Sequence, residues 1–255
     1  MTIAIAREVS RSLAHCELTH LDRSPIDVER ARSQHARYCA TLEELGCELV
    51  LLPEEKELPD AVFVEDTALV FDEVAVLMRP GAVSRQPETL SVELALADHR
   101  PVRRLEGPGT VDGGDVIVIE RDVYVGLSSR STKSGVAELS GVLAPWGYRV
   151  HGVALRDCLH LKTAACWIGG NTVLANPDWI DPARLGERDV ILVDPTEPFA
   201  ANAFPVHGTV VHAEAFERTR ARIESAGFSV APVPADELAK AEGGVTCCSL
   251  LLARS

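Results

Sequence analysis

The chain has 255 residues, 46% of them hydrophobic, so it can bury a sizeable core as one large domain or two small ones. Its 38 acidic residues outnumber 25 Lys and Arg, and the net charge of −13 argues against nucleic-acid and anionic-membrane partners, which would be repelled. A cationic small molecule suits this charge, although solubility alone explains it as well.

The sequence carries no sign of export or of membrane insertion. No apolar run reaches the roughly 18 residues of a spanning helix, and the N-terminus lacks a basic segment followed by an apolar stretch. The seven cysteines are odd in number and have no regular spacing, so we expect reduced thiols. These observations favour a cytoplasmic protein.

The N-terminal part of the chain predicts a strand, a helix and a second strand. Residues 3–7 form the first apolar run, and residues 47–52 form the second. Between them, Ser24 followed by Pro25 predicts the start of a helix, and Gly46 predicts its end.

From residue 61 onward the chain repeats a unit of strand, strand, helix and strand. Four copies occupy approximately residues 61–106, 110–154, 158–195 and 200–234. A fifth copy begins near residue 243 and contains only its first strand, so residues 1–52 supply the rest of it. We therefore expect one α/β domain over residues 1–255, built of five ββαβ modules around an axis, with both chain ends in one module.

Polar residues recur about every 45 residues, at the start of each module. They are Asp66, Asp115, His160, Asn202 and Cys247. In a closed ring, these equivalent points would meet at the centre, where we expect the functional site.

Cys247 is the candidate nucleophile, because two glycines allow a tight backbone turn just before it. The alternative is that Cys247 and its neighbour Cys248 are small buried hydrophobes at the start of a strand. Cys158 and Cys166 flank His160 and, with Cys247, suggest zinc. No Cys-x-x-Cys pair is present and a fourth ligand is not apparent, so we expect no dedicated metal site.

Three acids, Asp60, Glu65 and Asp66, surround the start of an apolar run. Their desolvation is costly unless a cation or hydrogen-bond donors neutralise them, and a bound guanidinium would do so. Arg85 and Arg130 occupy matching places in the first two modules, each preceded by Ser, and either is also explained as a surface charge.

Six motifs follow one another along the chain: Phe63-Val64-Glu65-Asp66, Ser84-Arg85, Asp112-Gly113-Gly114-Asp115, Gly126-Leu127-Ser128-Ser129-Arg130, Leu159-His160-Leu161-Lys162 and Thr246-Cys247-Cys248-Ser249. In these motifs, their order and their spacing, the chain resembles the dimethylarginine dimethylaminohydrolase family of guanidine-modifying enzymes (the pentein superfamily) over nearly its whole length. The resemblance implies a five-bladed α/β propeller, which agrees with the five modules counted above.

The resemblance also implies a catalytic triad. Cys247 would attack the guanidinium carbon, and His160 would protonate the departing amine and then activate water. Asp112, where the family also has Glu, would orient His160. Cys248 would face away from the site along its strand and belong to the core.

The predicted substrate contacts combine the acids, the arginines and two backbone carbonyls supplied by the resemblance. They are Leu18, Asp60, Glu65, Asp66, Arg85, Arg130 and Ala241. The arginines would hold the α-carboxylate, and the carbonyls of Leu18 and Ala241 would hold the α-ammonium. The loop at residues 16–20 would form a lid.

The sequence thus predicts an enzyme that hydrolyses Nω-methylated arginine to citrulline and a methylamine, without a cofactor. The open alternatives are an arginine deiminase that releases ammonia, a non-catalytic propeller that binds a cationic amino acid, and a Cys–His peptidase. A small-molecule guanidine is the expected partner, and a homodimer is left open.

Overall fold

The computed structural model describes residues 1–254, which form five three-stranded sheets. In every sheet the first two strands are antiparallel, and the third strand is parallel to the second. A parallel pair requires a crossover, and a helix or helical turn supplies it in each module. The predicted order of strand, strand, helix and strand is therefore confirmed in all five modules.

The strands are β1 Thr2–Arg7, β2 Cys47–Leu52, β3 Ala68–Val70, β4 Ala75–Leu77, β5 Val102–Arg104, β6 Val116–Ile119, β7 Asp122–Leu127, β8 Arg149–Ala154, β9 Ala165–Gly169, β10 Thr172–Ala175, β11 Asp189–Leu192, β12 Ala203–Val206, β13 Thr209–Ala213, β14 Ser229–Val233 and β15 Ser249–Ala253. The helices are α1 Val28–Glu44, α2 Thr89–Ala97, α3 Lys133–Leu143, α4 Leu161–Ala164, α5 Glu217–Ser225 and α6 Asp236–Ala239. None of the helices within residues 1–254 has both the length and the apolarity that crossing a bilayer requires.

The two ends of the described chain meet inside one sheet, whose strand order is β15, β1, β2. Strand β1 pairs antiparallel with β15, where Ile3 lies opposite Leu252, and parallel with β2. Strand β1 is almost wholly buried, because it is the middle strand of this sheet. The predicted sharing of one module by the N- and C-terminal segments is confirmed.

Helix α1 begins later than its sequence predicts. The side chain of Asp27 accepts a hydrogen bond from the backbone N–H of Arg30, so Asp27 caps the helix and Val28 is its first residue. Ser24 and Pro25 lie in the exposed segment before it. The predicted end is correct, because Gly46 follows the helix with a positive φ of 90°.

The first strands of the five sheets surround a cavity of about 240 Å³, which we call the central cavity. Each first strand contributes at least one apolar side chain to its wall. These include Leu69, Ile117, Trp167, Phe204 and Leu250. The five modules therefore stand around one axis, with their first strands innermost, as in an α/β propeller.

Short helical turns, and not strands, precede four of these inner strands. They are Val64–Thr67, Gly113–Asp115, Leu161–Ala164 and Thr246–Cys248. The inner strands of these four modules therefore begin shortly after the polar residues Asp66, Asp115, His160 and Cys247. Backbone hydrogen bonds such as Asp66 N–H to the carbonyl of Phe63 and Asp115 N–H to that of Asp112 close the turns. Four sets of polar side chains are consequently gathered at one end of the axis.

We propose that residues 1–255 unfold as one cooperative unit, because β1 joins both ends of the chain. Ile5 is fully buried and packs in a cluster with Val64 and Leu77 of the next module. Ile5→Ala should lower the free energy of unfolding by about 2–5 kcal/mol. The variant should show a single unfolding transition, shifted to a lower urea concentration. Urea titration followed by circular dichroism and tryptophan fluorescence measures this transition.

The tryptophans, at positions 146, 167 and 179, lie in other modules, so their fluorescence tests whether the perturbation spreads. Val190→Ala, at a 42% exposed strand position, is the matched control and should change stability by less than about 0.5 kcal/mol. Two separate transitions, or a fluorescence midpoint that Ile5→Ala leaves unchanged, would show that the ring does not unfold as a unit.

Candidate active site

A small cleft lies where the helical turns meet, beyond the end of the central cavity. Residues adjacent in the sequence face different spaces. Glu65 and Thr246 line the central cavity, whereas Asp66 and Cys247, which follow them in the chain, line the cleft. His160 lies in the wall of the same cleft. The structure therefore brings together three polar side chains from three different modules.

Cys247 lies in a helical turn that two glycines allow to pack closely. A Cβ on Gly243 would lie 2.2 Å from the ring of Phe63, and a Cβ on Gly244 would lie 2.4 Å from the side chain of Asn202. Both glycines are thus required by close approach of neighbouring side chains. The N–H of Gly244 lies 3.3 Å from the sulfur of Cys247 in donating geometry.

The Cys247 thiol is 9% exposed and lies in a negative environment. Burial raises its pKa above the ordinary value, and the charges of Glu65 and Asp66 raise it further. Without a bound cation in the cleft, the sulfur is therefore held as a thiol. Cys248 is buried in the core as predicted, although it lies in the same turn and not on a strand.

His160 and Asp112 form the second part of the site. The Nε2 atom of His160 lies 3.1 Å from Oδ2 of Asp112, whose Oδ1 accepts the N–H of Gly81 at 2.7 Å. Asp112 is fully buried, so both of its oxygens are held by the protein. Burial lowers the pKa of His160, but the charges of Asp66, Asp115 and Asp112 outweigh it and raise the pKa to about 9. The imidazole is therefore protonated at neutral pH.

Steric crowding explains why the motif Asp112-Gly113-Gly114-Asp115 contains two glycines. A Cβ on Gly113 would lie 1.9 Å from the carbonyl oxygen of Glu65, and a Cβ on Gly114 would lie 2.8 Å from both Asp66 Oδ1 and His160 Nδ1. The N–H of Gly114 donates to Asp66 Oδ1 at 2.8 Å. The motif is a turn, and it also brings the first, second and third modules into contact at the site.

Asp66 and Arg85 form a buried ion pair that extends to Glu88. Arg85 is 5% exposed; it donates to Asp66, to Glu88 at 2.8 Å and to the carbonyl of Phe63 at 3.0 Å. Burial raises the pKa of Asp66, but Arg85 and His160 outweigh it and lower the pKa to about 2. Asp66 is therefore a carboxylate at all physiological pH values.

Arg130 differs from Arg85, although the sequence places them at equivalent positions. Its NH2 donates to the hydroxyl of Thr19 at 2.9 Å, and among residues 1–254 no carboxylate lies within ion-pairing distance of it. Arg130 lines the cleft and is half-buried. Its charge is thus available to an anion in the cleft, whereas that of Arg85 is shared between two carboxylates.

Asp60 and Glu65 line different spaces, the cleft and the central cavity. Asp60 lines the cleft, and its Oδ2 accepts the N–H of Glu17 at 3.0 Å. Burial raises the pKa of Glu65, and its oxygens accept from Lys162 Nζ at 2.6 Å and from Thr246 Oγ1 at 2.7 Å. Glu65 therefore faces the central cavity and touches the site through Thr246, the residue before Cys247.

The two predicted backbone contacts differ, because only Ala241 is among the residues that line the cleft. Leu18 packs on the apolar cluster that contains Ala241 and Cys247. Sequence reasoning missed Glu88 and Lys162, which neutralise Arg85 and Glu65. Lys162 is part of the quoted motif around His160, two residues further on, but only the folded chain shows its partner.

One group of donors could in principle hold a metal ion. Donor atoms of Asp66, Asp112 and His160 lie within 4.8 Å of one another. Arg85 and the N–H of Gly114 bind the oxygens of Asp66, and Asp112 and His160 bind each other. These oxygens and nitrogens already have partners, and the expectation of no dedicated metal site stays a prediction.

Known proteins were compared with the chain in sequence and in structure. No protein-family model matches it. An N(G),N(G)-dimethylarginine dimethylaminohydrolase from Pseudomonas aeruginosa is 34% identical over 248 residues, covering 96% of this chain and 97% of that protein. A protein of the same name from Streptomyces coelicolor is 35% identical over 250 residues, covering 98% of this chain and 96% of the relative.

A solved structure shows that the similarity extends to the fold. A Cys-to-Ser mutant of the Pseudomonas aeruginosa enzyme in complex with citrulline superposes with a TM-score of 0.93 at 33% identity, over 98% of each chain. Five small sheets around a site of thiol, imidazole and carboxylates define a pentein-type hydrolase that acts on C–N bonds of guanidines. The chain belongs to the dimethylarginine dimethylaminohydrolase family.

The raised pKa of His160 predicts a pH dependence of stability. A group whose pKa is raised on folding stabilises the folded state fully below its unfolded pKa, about 6.5, and this contribution is lost as the pH rises through about 9. The wild type should therefore lose up to roughly 3 kcal/mol more stability between pH 6.5 and pH 9.5 than His160→Gln. Urea unfolding at several pH values measures this difference.

His15→Gln is the control, because His15 is exposed. It should leave the pH dependence of unfolding as it is in the wild type. Equal pH dependence of His160→Gln and His15→Gln would contradict the assigned protonation of His160.

Proposed function

We propose that this protein hydrolyses Nω-methylated arginines, namely asymmetric dimethylarginine and monomethylarginine, to citrulline and a methylamine. The observation that carries the proposal is a cleft in which a thiol, an imidazolium and carboxylates converge, with one arginine free to bind an anion. The family supports it, since one relative binds citrulline in its crystal structure.

The substrate guanidinium would lie against Asp66 and Asp60, both of which line the cleft. A planar cation between two carboxylates offsets the cost of burying them. Arg130 would bind the α-carboxylate, with Arg85 holding Asp66 in place behind it. Glu65, which accepts a hydrogen bond from Thr246, would add negative charge near the guanidinium without lining the cleft. The carbonyls of Leu18 and Ala241 would accept from the α-ammonium.

Substrate binding would activate the nucleophile. The charges of Glu65 and Asp66 raise the pKa of Cys247, and a guanidinium placed among them counteracts this effect. The Cys247 thiol would thus lose its proton to solvent, and form the thiolate, mainly when the substrate is present. It would attack the guanidinium carbon and form a carbon–sulfur bond, which gives a tetrahedral adduct.

His160 would act first as an acid and then as a base. Its pKa of about 9 means that it carries a proton at neutral pH, which it gives to the methylamine nitrogen as the carbon–nitrogen bond breaks. The neutral imidazole then takes a proton from the water that attacks the thiouronium carbon. Collapse of this second adduct expels the Cys247 thiolate and releases citrulline. Asp112 would hold the imidazole in orientation throughout.

The location that we propose is the cytoplasm. The support is the seven cysteines, all free thiols and six of them buried, which is the usual state of cysteine in a reducing compartment. The absence of nucleic-acid or membrane partners and the absence of a cofactor stay predictions. The homodimer that the sequence leaves open would be tested by light scattering.

Cys247→Ser should lower kcat by at least about a thousandfold and leave citrulline binding within about threefold of the wild type. Wild-type enzyme quenched in acid during turnover should carry the substrate-derived mass on the peptide that contains Cys247. Mass spectrometry measures the adduct, and citrulline and dimethylamine are assayed in parallel.

Cys248→Ala is the matched control, because the neighbouring thiol is 1% exposed in the core. It should keep both the adduct and the turnover. An adduct on another residue would contradict the role of Cys247. Ammonia from arginine as the faster product would contradict the methylarginine assignment and leave the nucleophile unaffected.

The two arginines should respond differently to replacement by Ala. Arg130→Ala should raise KM by about 10–100-fold with a smaller change in kcat, because a charged hydrogen-bond donor to the substrate is lost. Arg85→Ala leaves Asp66 and Glu88 without their buried cation, and should reduce the free energy of unfolding by about 3–5 kcal/mol. Steady-state kinetics and urea unfolding on both variants measure these effects. Equal losses of stability would contradict the distinction.

A further inference from the structure

The predicted lid loop is anchored to the rest of the protein by several hydrogen bonds. Residues 17–21 are called the lid from here on. The backbone N–H of Glu17 donates to Asp60 at 3.0 Å, and Ser84 Oγ donates to the Glu17 carboxylate at 2.6 Å. Arg130 donates to the hydroxyl of Thr19. The lid has no regular secondary structure, so side chains outside it determine where it lies.

Glu242 makes the largest number of hydrogen bonds to the lid. Its Oε2 accepts the N–H of Thr19 at 2.9 Å, and its Oε1 accepts those of His20 at 2.5 Å and Leu21 at 2.6 Å. Three successive backbone N–H groups around one carboxylate form an anion-binding nest, and hydrogen bonds to a charged acceptor are the stronger kind. A single side chain therefore fixes the lid backbone.

The backbone of Glu242 is in a conformation that favours glycine. Its φ is +58°, in the left-handed region that residues with a Cβ rarely adopt. The residue ends the short helix α6, where its N–H donates to the carbonyl of Ala239 and the N–H of Gly243 donates to that of Leu238. A glycine would suit this position better as a helix end. The glutamate carboxylate has a function that a glycine cannot supply.

Glu242 also lies between the substrate contacts proposed above. Its chain neighbour Ala241 lines the cleft, and the lid backbone that it binds begins directly after Leu18. The same carboxylate thus connects the two segments whose carbonyls would accept from the α-ammonium. Glu242 itself lines the cleft, together with Glu17 and Arg130.

With the lid in this position the cleft has a volume of only about 20 Å³, room for about one water molecule. An arginine side chain is much larger, so substrate entry requires the cleft to widen, and the lid, which has no regular secondary structure, is the segment that would move. The three hydrogen bonds to Glu242 would break on opening and form again on closure.

We propose that Glu242 is a positioning residue for the amino-acid end of the substrate. It closes the lid and sets the carbonyls of Leu18 and Ala241 at the α-ammonium, and so determines affinity and not the chemical step. This inference rests on the proposed function for the identity of the ligand. The hydrogen bonds of Glu242 to the lid are independent of it.

The test compares Glu242→Gln and Glu242→Gly with the wild type. Glutamine keeps the length and removes the charge, whereas glycine removes the carboxylate and relaxes the backbone at the same time. Glu224→Gln is the matched control, since it removes one negative charge from an exposed position on α5. Three measurements are made: KM and kcat for asymmetric dimethylarginine, calorimetric binding of citrulline, and hydrogen exchange of the amides of residues 19–21.

Both Glu242 variants should raise KM and the citrulline Kd, by about tenfold or more for Glu242→Gly, with kcat within about twofold. The amides of residues 19–21 should exchange at least about tenfold faster. An analogue of the substrate with hydrogen in place of the α-ammonium should show little change in KM. Glu224→Gln should match the wild type in all measurements.

Several results would overturn the inference. If the amides exchange faster while KM and the citrulline Kd stay unchanged, Glu242 only anchors the lid. If kcat falls and KM does not rise, Glu242 acts on the chemical step. If the analogue without the ammonium loses affinity equally, the carbonyls are not its target. If the wild type shows no turnover of methylarginine, the proposed function fails, whereas citrulline binding and hydrogen exchange still decide the role of Glu242.

Discussion

Buried negative charge is the constraint on which the site depends. Asp60, Glu65, Asp66 and Asp112 are each less than 9% exposed and surround one thiol and one imidazole. The protein neutralises part of this charge itself, through Arg85, Lys162 and the protonated His160. The negative charge that is not neutralised lies around Asp60 and Asp66 in the cleft, and it favours the binding of a cation. The same charge raises the pKa of the Cys247 thiol, so in the proposed reaction substrate binding and activation of the thiol would have one electrostatic origin.

The propeller provides this concentration of charge because its modules are equivalent. Each inner strand is short, from three to five residues, and in four modules a helical turn precedes it at the same end of the axis. Candidate catalytic side chains and charged side chains that are far apart in the sequence are thereby placed side by side. The ring also supplies the rigid support, since the closing sheet ties β1 to both β15 and β2.

The five-module fold and the main residues of the candidate site could be predicted from the sequence, because both depend on local patterns that repeat along the chain. The alternation of apolar runs and turns predicted five modules, and the motifs predicted that Cys247, His160 and Asp66 would lie together in one site. The choice of Asp27 over Ser24 as helix cap could not be predicted, since both are good caps and tertiary contacts decide. The different environments of Arg85 and Arg130, and the turn of Glu65 toward Lys162, depend on contacts between modules that no local pattern records.

The pairing of β1 with β15 also has a consequence for connectivity. The backbone N–H of Arg254 donates to the carbonyl of Met1 at 2.9 Å, so residues 1 and 254 are neighbours at one end of the closing sheet. The order in which the blades follow one another in the gene is therefore not imposed by the architecture. A permuted polypeptide, joined across this short gap and opened at an exposed hairpin such as that at Gly170, would contain the same blades around the same hub.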